Sequence, residues 1–471
     1  MTTILFCLML SISFLIISPS SSTIMTLTLS PLPKSKSSSN SWEFASNVLK
    51  SSINRAHHLK SKTPNKKSNS STGIHGTTHT SLYARSYGGY TVSLAFGTPP
   101  QKIPLVFDTG SSLNWVPCTS RYTCSNCTFS NIDPSNIITF MPKLSSSTRI
   151  IGCKNPKCGW LFGPDVESQC GSECGSNCKR ACPTYILQYG LGSTAGLALS
   201  ETLDFPGTVV KDFFVGCSIL SIRQPEGIAG FGRAPASLPN QLKLRKFSYC
   251  LVPHKFDDGP RSSKLILARA GEQISTTREE PKSEVEYTPL GKNPTTSPYN
   301  EYYYITLTKI TVGKKLINLP YKFLTPDVNG DGGTIIDSGT SLTFMERSLF
   351  DPLVKELEAQ TTHYKRANDA EAQSGFGLCY NVHDVRNVSF PKLVFHFKGK
   401  AKMLMPLANY LSFMSDLGAW CLTIVSDSGP AVPSSGPIGP AMILGNYQQQ
   451  NFYIEYDLEN QRLGLKKHKC V

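Results

Sequence analysis

The chain has 471 residues, which is enough for two lobes that each bury a sizeable core. Hydrophobic residues make up 39% of it and charged residues only 17%, with 36 Gly and 32 Pro, so the composition favours a globular, turn-rich β protein and excludes a largely disordered one. The net charge of +14 does not indicate a nucleic-acid partner, because half of it lies in residues 24–80 and the remainder has no dense basic run interleaved with aromatic residues.

An apolar run opens the chain, TILFCLMLSISFLII, and small residues follow it at 18–22. This pattern predicts a cleaved signal peptide over residues 1–23. A signal anchor is the alternative, but the run is short and has no basic flank close behind it, which favours cleavage. The C-terminus, KKHKCV, lacks the apolar tail of a lipid-anchor signal, so we expect no stable membrane anchor.

Residues 24–80 read as a basic leader that is removed, with an approximate boundary at 80. They hold one acidic residue, Glu43, and eight basic residues: Lys34, Lys36, Lys50, Arg55, Lys60, Lys62, Lys66 and Lys67. Polar stretches at 30–45 and 61–82 are expected to be flexible. Between them, WEFASNVLKSSINRAHHLKS predicts a short amphipathic helix, with an apolar side formed by Trp42, Phe44, Val48, Leu49 and Ile53.

From Tyr90 onward the pattern changes to the alternation typical of strands. The predicted strands are YTVSLAFG, KIPLVFDTG, AGLALSETLDF, VKDFFVGC, YYYITLTKITVG, GGTIIDSGTSLTF, LVFHF and NFYIEYDLENQRLGL. Helical signals are few and lie in SLPNQLKL and LFDPLVKELEAQ. The sequence therefore predicts a mainly β fold with short helices.

Fifteen cysteines are present, and one of them, Cys7, lies in the predicted signal peptide. The remaining fourteen are an even number, which fits an oxidising compartment and up to seven disulfides. Even spacing of Cys170, Cys174, Cys178 and Cys182 leaves zinc as an alternative, but no histidine lies among them, so we expect neither a metal nor a cofactor. The candidate N-glycosylation sites are Asn69, Asn126 and Asn387.

One internal repeat stands out. LVFDTGSS at residues 105–112 is echoed by IIDSGTS at 335–341, and each Asp is followed, 120 and 106 positions later, by two apolar residues and a glycine (228–230 and 443–445). Two distant copies of one plan imply two related lobes that face each other. We place the N-terminal lobe at 81–285 and the C-terminal lobe at 286–471.

The two repeated motifs each present an aspartate, Asp108 or Asp337, before a glycine turn flanked by hydroxyl side chains. A single such motif is more often an ordinary turn. Two copies related by a two-fold arrangement bring both carboxylates to one site, where they cannot both ionise cheaply and retain one proton between them. Such a pair can deprotonate a water and hydrogen-bond to a carbonyl group, with no metal and no nucleophilic Ser or Cys.

From Tyr90 to the C-terminus the chain resembles the pepsin family of aspartic proteases, and most of all its cysteine-rich plant branch, which includes nepenthesin. The resemblance rests on LVFDTGSS, YGLGSTAG, GIAGFGR, TIIDSGTSLTF and MILGN in family order, and on the FSYCLVP stretch at 247–253. It implies a bilobal acid-protease fold with two pseudo-two-fold-related, barrel-like β lobes, a central cleft, and a Cys-rich insertion at about 118–182.

The resemblance also implies roles for individual residues. Asp108 and Asp337 match the catalytic pair; Ser111 and Thr340 match the hydroxyls that bond their outer oxygens; Thr109 and Ser338 match the residues that brace the two loops across their glycines, Gly110 and Gly339. Tyr189 matches the tyrosine at the tip of the flap, with Tyr185 as the competing candidate, and Trp115 matches the tryptophan that supports it. By family position, Cys379 pairs with Cys421, and Cys250 with Cys470.

We accordingly expect a secreted, monomeric endopeptidase that cleaves proteins or peptides at acid pH. Its own basic leader should act as an intramolecular inhibitor that lies in the acidic cleft. The expected location is extracellular or the cell wall, with the vacuole as the alternative. Two other interpretations stay open: a catalytically inactive extracellular binding or inhibitor protein of the same fold, and a cysteine-rich adhesion module, which does not explain the duplicated aspartate loops.

Overall fold

The structure is a computed structural model of the chain. It describes residues 25–31, 41–61, 89–127, 137–163, 166–171, 179–190, 192–205, 208–224, 226–253, 262–269, 285–382, 388–427 and 438–470. These residues form a mainly β protein, which confirms the predicted fold class. No helix in these ranges is long and apolar enough to cross a membrane.

The secondary structure follows the predicted alternation closely. The strands up to residue 269 are β1 (Met25–Pro31), β2 (Tyr90–Phe96), β3 (Gln101–Asp108), β4 (Trp115–Pro117), β5 (Thr123–Ser125), β6 (Arg149–Ile150), β7 (Tyr185–Gln188), β8 (Ser193–Phe205), β9 (Thr208–Ile222), β10 (Gly227–Gly230), β11 (Leu244–Cys250) and β12 (Ser263–Arg269). The later strands are β13 (Glu286–Pro289), β14 (Tyr304–Ile305), β15 (Leu307–Val312), β16 (Lys315–Leu316), β17 (Thr334–Ile336), β18 (Thr343–Met345), β19 (Lys365–Arg366), β20 (Cys379–Asn381), β21 (Leu393–Phe397), β22 (Lys402–Leu404), β23 (Leu411–Met414), β24 (Ala419–Leu422), β25 (Ile424–Val425), β26 (Met442–Leu444), β27 (Phe452–Asp457) and β28 (Arg462–Lys467).

The α-helices are short apart from two. They are α1 (Ser41–Lys60), α2 (Gly159–Phe162), α3 (Val166–Cys170), α4 (Leu238–Gln241), α5 (Arg347–Gln360), α6 (Asn368–Ser374), α7 (Leu407–Tyr410) and α8 (Asn446–Gln449). Short 3-10 turns occur at Pro142–Leu144, Pro156–Cys158, Tyr299–Glu301, Tyr321–Phe323, Lys398–Lys400 and Ser415–Leu417.

The internal repeat becomes a matching pair of strand triplets. In the first half β10 runs parallel to β3, with Gly230 opposite Asp108, and antiparallel to β4. In the second half β26 runs parallel to β17, with Leu444 opposite Ile336, and antiparallel to β18. The two apolar residues before each glycine therefore lie in a strand that pairs with the strand ending at, or just before, one of the aspartates.

One large sheet joins the two halves of the chain. It runs in the order β13-β28-β27-β11-β12-β1-β2-β3-β10-β4-β9-β8-β6, so C-terminal strands pair with N-terminal ones through β27 and β11. The aromatic side chains of this junction are buried, and the rings of Phe247 and Tyr456 stack with their centroids 4.2 Å apart. Stacked, fully buried rings give the lobes a rigid common base.

The leader is more ordered than the sequence suggests. Its strand β1 lies in the large sheet between β2 and β12, antiparallel to both, with Leu29 opposite Val92. Residues 30 and 31 belong to this strand and 41–45 to α1, so the predicted flexible stretch at 30–45 is wrong at both of its ends. The predicted leader boundary near residue 80 lies outside the described residues.

Six disulfides lie in the part of the chain that the structure describes. They join Cys118–Cys217, Cys124–Cys127, Cys153–Cys170, Cys158–Cys182, Cys250–Cys470 and Cys379–Cys421. The last two are the pairs that the family resemblance implied. Two of the four evenly spaced cysteines, Cys170 and Cys182, therefore pair with cysteines outside that group; Cys174 and Cys178 lie outside the described residues.

The Cys250–Cys470 bridge ties the C-terminus to β11 and closes a loop of 220 residues. A cross-link over a long loop restricts the unfolded chain most, so the double substitution Cys250→Ser/Cys470→Ser is expected to lower the free energy of unfolding by about 2–5 kcal/mol. Guanidinium titration of the purified protein measures this loss. The matched control is Cys124→Ser/Cys127→Ser, which opens a loop of only three residues and should cost less; an equal loss in both variants would contradict the loop-length argument.

Candidate active site

The two repeated aspartates lie face to face between the lobes. Asp108 ends β3, Asp337 follows β17, and both residues are buried, with 1% and 0% of their surface exposed. The glycines after them permit this approach. A Cβ on Gly110 would lie 2.7 Å from the Asp337 carboxyl carbon, and one on Gly339 would lie 2.3 Å from Asp108 Oδ1.

Each carboxylate receives the same set of local hydrogen bonds. The Gly110 N–H donates to Asp108 Oδ1 at 2.9 Å, and the Ser111 hydroxyl donates to Oδ2 at 2.7 Å. In the second copy, the Gly339 N–H donates to Asp337 Oδ1 at 2.8 Å, and the Thr340 hydroxyl donates to Oδ2 at 2.6 Å. The turn therefore fixes the plane and position of each carboxyl group.

Thr109 and Ser338 connect the two loops directly. The Thr109 N–H donates to Ser338 Oγ at 3.0 Å, and the Ser338 N–H donates to Thr109 Oγ1 at 2.9 Å. The Ser338 hydroxyl in turn donates to the Phe107 carbonyl at 3.0 Å. Because all these groups are buried, the bonds hold the aspartates at a fixed separation.

A leader residue occupies the space in front of the pair. Arg55, on α1, places Nη2 2.7 Å from Asp108 Oδ1 and 2.9 Å from Oδ2, and its Nε lies 3.3 Å from Asp337 Oδ2. The arginine side chain is 8% exposed, so a buried cation bridges two buried carboxylates. This fork geometry suits guanidinium, which presents several donors in one plane.

The two carboxyl groups differ in their pKa values although their local bonds match. Burial raises the pKa of Asp337 above its ordinary value, and the neighbouring Asp108 charge adds to this, while Arg55 opposes both. Burial also acts to raise the pKa of Asp108, but the Arg55 charge and the Ser111 hydrogen bond outweigh it and lower that pKa. The pKa of Asp337 therefore lies above that of Asp108.

The hairpin of β7 and β8 covers the site. Tyr189 lies at its tip, is largely buried, and its hydroxyl oxygen accepts a hydrogen bond from Trp115 Nε1 at 2.9 Å. The competing candidate, Tyr185, lies within the lobe, where its hydroxyl is 2.7 Å from Ser218 Oγ. Of the two tyrosines, Tyr189 is the one that lines the same pocket as Asp108.

Helix α1 fills the cleft beneath this hairpin. Gly190 lies against it so closely that a Cβ there would be 2.4 Å from the Arg55 Cα. On the C-terminal side, the Leu342 N–H donates to Ser52 Oγ at 2.8 Å. Val48 and Leu49 pack against a C-terminal-lobe cluster that includes Leu342, while Ala56 and Leu59 pack against Tyr299 and Phe344. Helix α1 thus lies between the hairpin and the C-terminal lobe.

Arg55 is one of eight basic residues in the leader, and no particular role was predicted for it. A signal was available: Val48, Ser52, Arg55 and Leu59 fall on one helical face at spacings of four, three and four residues. A single charged residue on an otherwise apolar or small face marks a buried partner of opposite charge. Glu346, described below, had no comparable signal.

The candidate glycosylation sites are only partly visible. Asn126 is exposed in a turn, whereas Asn69 and Asn387 lie outside the described residues.

No cluster of three or more His, Cys, Asp or Glu side chains suited to a metal ion occurs within the described ranges. The residues 327–331 form a turn in which Asp327 Oδ1 accepts from the N–H groups of Asn329 and Asp331.

Paired lobes, paired Asp-Thr/Ser-Gly loops and a covering hairpin define a pepsin-like protein. Sequence comparison agrees: models described as the N-terminal and C-terminal parts of a xylanase inhibitor match residues 90–267 and 302–467. The chain is 32% identical to a probable aspartyl protease of Arabidopsis thaliana, over 83% of this chain and 84% of that protein. It is 31% identical to aspartic proteinase nepenthesin-1 of Nepenthes gracilis, over 83% and 80% of the two chains.

Solved structures show the same fold at lower identity. The crystal structure of edgp aligns with a TM-score of 0.62 and 17% identity, covering 96% of both chains. Basic 7S globulin from soybean aligns with a TM-score of 0.59 and 15% identity, over 95% of this chain and 97% of that one. The chain belongs to the pepsin-like family that includes plant aspartyl proteases, nepenthesins and proteins of the xylanase-inhibitor type.

Proposed function

We propose that the chain is an aspartic endopeptidase that hydrolyses protein or peptide substrates at acid pH after its leader is removed. The observation that carries this proposal is the intact, matched pair of carboxylates. Both Asp108 and Asp337 are buried, and each has its own N–H and hydroxyl donors. A binding protein has no evident need to keep two desolvated carboxylates together.

The proposed reaction uses one water and the shared proton. With Arg55 withdrawn, a water bound between the carboxyl groups loses a proton to the ionised one while its oxygen attacks the scissile carbonyl carbon. The protonated carboxyl group hydrogen-bonds to the carbonyl oxygen and stabilises the tetrahedral intermediate. Transfer of a proton to the amide nitrogen then lets the C–N bond break, and the pair returns to its singly protonated state.

The cleft should accept an extended peptide, since it lies between two β lobes and is long enough to hold α1, a helix of 20 residues. An extended chain presents backbone donors and acceptors at every residue and side chains on alternate sides. We further propose that the protein is secreted, to the extracellular space or cell wall, or else reaches the vacuole. The disulfides fit an oxidising route.

The leader is proposed to be an intramolecular inhibitor. Arg55 occupies the place of the catalytic water, and α1 occupies the cleft on both sides of it. The guanidinium bonds require ionised carboxylates, so protonation of the pair at acid pH weakens them. We expect the cut near residue 80, within the segment 62–88 that follows α1 in the chain.

A leader histidine should add to the acid dependence. Burial first, and the Arg55 charge second, lower the pKa of His58 to about 4, against about 6.5 for a free histidine. As the pH falls from about 6.5 to about 4, the released helix therefore takes up a proton that the bound helix excludes, so release becomes more favourable. The variant His58→Gln should accordingly shorten at lower pH than the wild type, which electrophoresis of precursor across a pH series would show.

The neighbouring histidine gives the matched control. His57 is 53% exposed and lies 3.5 Å from Asp427 rather than beside Arg55. His57→Gln should not move processing to lower pH. Unchanged processing of His58→Gln would show that burial of this imidazole does not contribute to release.

Digestion of denatured haemoglobin at acid pH, with and without pepstatin, tests the proposed activity. We expect cleavage that pepstatin blocks in processed protein. The alternative function is an inactive binding or inhibitor protein, which is favoured by the xylanase-inhibitor description of the matching family models. Correctly processed protein that shows no pepstatin-sensitive cleavage would support that alternative.

A further inference from the structure

A second buried ion pair lies at the C-terminal end of the leader helix, away from the aspartates. Lys60 Nζ bonds the Glu346 carboxylate, and their side chains are only 10% and 4% exposed. The ammonium group also lies 4.8 Å from the centre of the Phe344 ring, a cation–π distance. A carboxylate and an aromatic face thus surround one lysine side chain.

The backbone of Lys60 is bound as well as its side chain. The Tyr299 hydroxyl donates to the Lys60 carbonyl at 2.5 Å. Gly439 lies so close that a Cβ there would be 2.6 Å from the Lys60 Cα, so only a glycine allows this approach. The pocket therefore recognises a short piece of peptide: one backbone carbonyl and one basic side chain.

In the part of the chain that the structure describes, the Glu346 carboxylate bonds no group other than Lys60. Glu346 is the N-cap residue of α5, yet its side chain makes no capping hydrogen bond. Its main chain is fully used, since its N–H donates to the Ala441 carbonyl and its carbonyl accepts from the Leu349 N–H. Without α1, this carboxylate would lack the cation that it bonds in the structure.

We propose that the pocket formed by Glu346, Phe344 and Tyr299 is a substrate subsite for lysine or arginine in the leader-free protein. The inference rests on the proposed peptidase function. The leader then acts as a stand-in for substrate, with Arg55 on the aspartates and Lys60 in the subsite.

The spacing in the helix fixes the position of this subsite approximately. Lys60 lies five positions after Arg55, which is an axial rise of about 7.5 Å in an α-helix. An extended peptide covers the same distance in about two residues. The basic side chain should therefore lie about two residues from the bond that is cut.

Peptide pairs that differ at one position test the subsite. A peptide of fixed sequence is made with Lys or norleucine at each position within about four residues of the cut bond, and kcat/KM is measured with acid-processed protein. We expect Lys to be preferred at one position by about tenfold, since a hydrogen bond to a charged group is worth about that factor. Glu346→Gln should remove the preference at that position, and Glu346→Lys should reverse it in favour of norleucine.

The matched control is Glu356→Gln in α5, the helix that begins directly after Glu346. The Glu356 carboxylate pairs with Lys315 on the protein surface instead. This variant should keep both the Lys preference and the rate on the norleucine peptide. No Lys preference in the wild type, or one that survives Glu346→Gln, would show that Glu346 only fastens the leader.

Failure of the proposed peptidase function would give a different result from failure of the subsite. If the processed wild type cleaves neither peptide, calorimetric binding of the same two peptides decides the question. Tighter binding of the Lys peptide that Glu346→Gln abolishes supports the subsite in a non-catalytic protein. Equal binding of both peptides overturns it.

Discussion

Replacing Asp108 with Asn is expected to lower peptide hydrolysis by the leader-free protein at least about 1,000-fold. The amide has nearly the shape of the carboxyl group, but it neither takes a proton from water nor shares one with Asp337. To separate catalysis from processing, the full precursor is folded first and then cut at a specific protease site engineered into residues 62–88. The readout is kcat/KM on a fluorogenic peptide across the acid range.

The matched control is Asp369→Asn, which changes an exposed carboxylate at the start of α6. It should leave the rate unchanged. Asp337→Asn should match Asp108→Asn, because the reaction needs both members of the pair. Retention of more than about a tenth of the activity in either catalytic variant would exclude the proposed mechanism.

Arg55→Ala is expected to open the cleft of the uncut precursor at near-neutral pH. Loss of one partner from a buried ion pair costs about 3–5 kcal/mol, because the other charge is left uncompensated. Here the two carboxylates can share a proton once the cation is gone, so we expect the lower end of this range, or about 100-fold. Fluorescent pepstatin competes with α1 for the cleft, and its affinity for the precursor should rise by up to this factor.

Two further variants serve as controls for the pepstatin measurement. Lys50→Ala removes an exposed charge from the same helix and should leave pepstatin affinity unchanged. Arg55→Lys should fall between wild type and Arg55→Ala, because an ammonium group keeps the charge but loses the planar fork that bonds both aspartates. Equal pepstatin affinity in the wild type and Arg55→Ala would mean that Arg55 does not hold the leader in place.

The sequence alone was enough to locate both aspartates, the glycines, and the hydroxyl donors. Each of these lies within a few residues of its partner, as Ser111 does of Asp108, so one short motif contains the whole local arrangement. Duplication of the motif then implied that the two copies meet. The strands and α1 were also predictable, because alternation and a helical apolar face are properties of contiguous residues.

The tertiary structure decided what fills the cleft. The helical face of Arg55 indicates a buried partner of opposite charge, but only the fold showed that Asp337, 282 positions away, is one such partner. Only the fold likewise showed that Lys60 meets Glu346 across 286 positions. The same holds for β1, whose pairing partners lie in β2 and β12. Such contacts depend on how distant segments pack, and no local pattern records that. The sequence by itself therefore determined the chemistry available at the site, while packing determined which leader residues cover it.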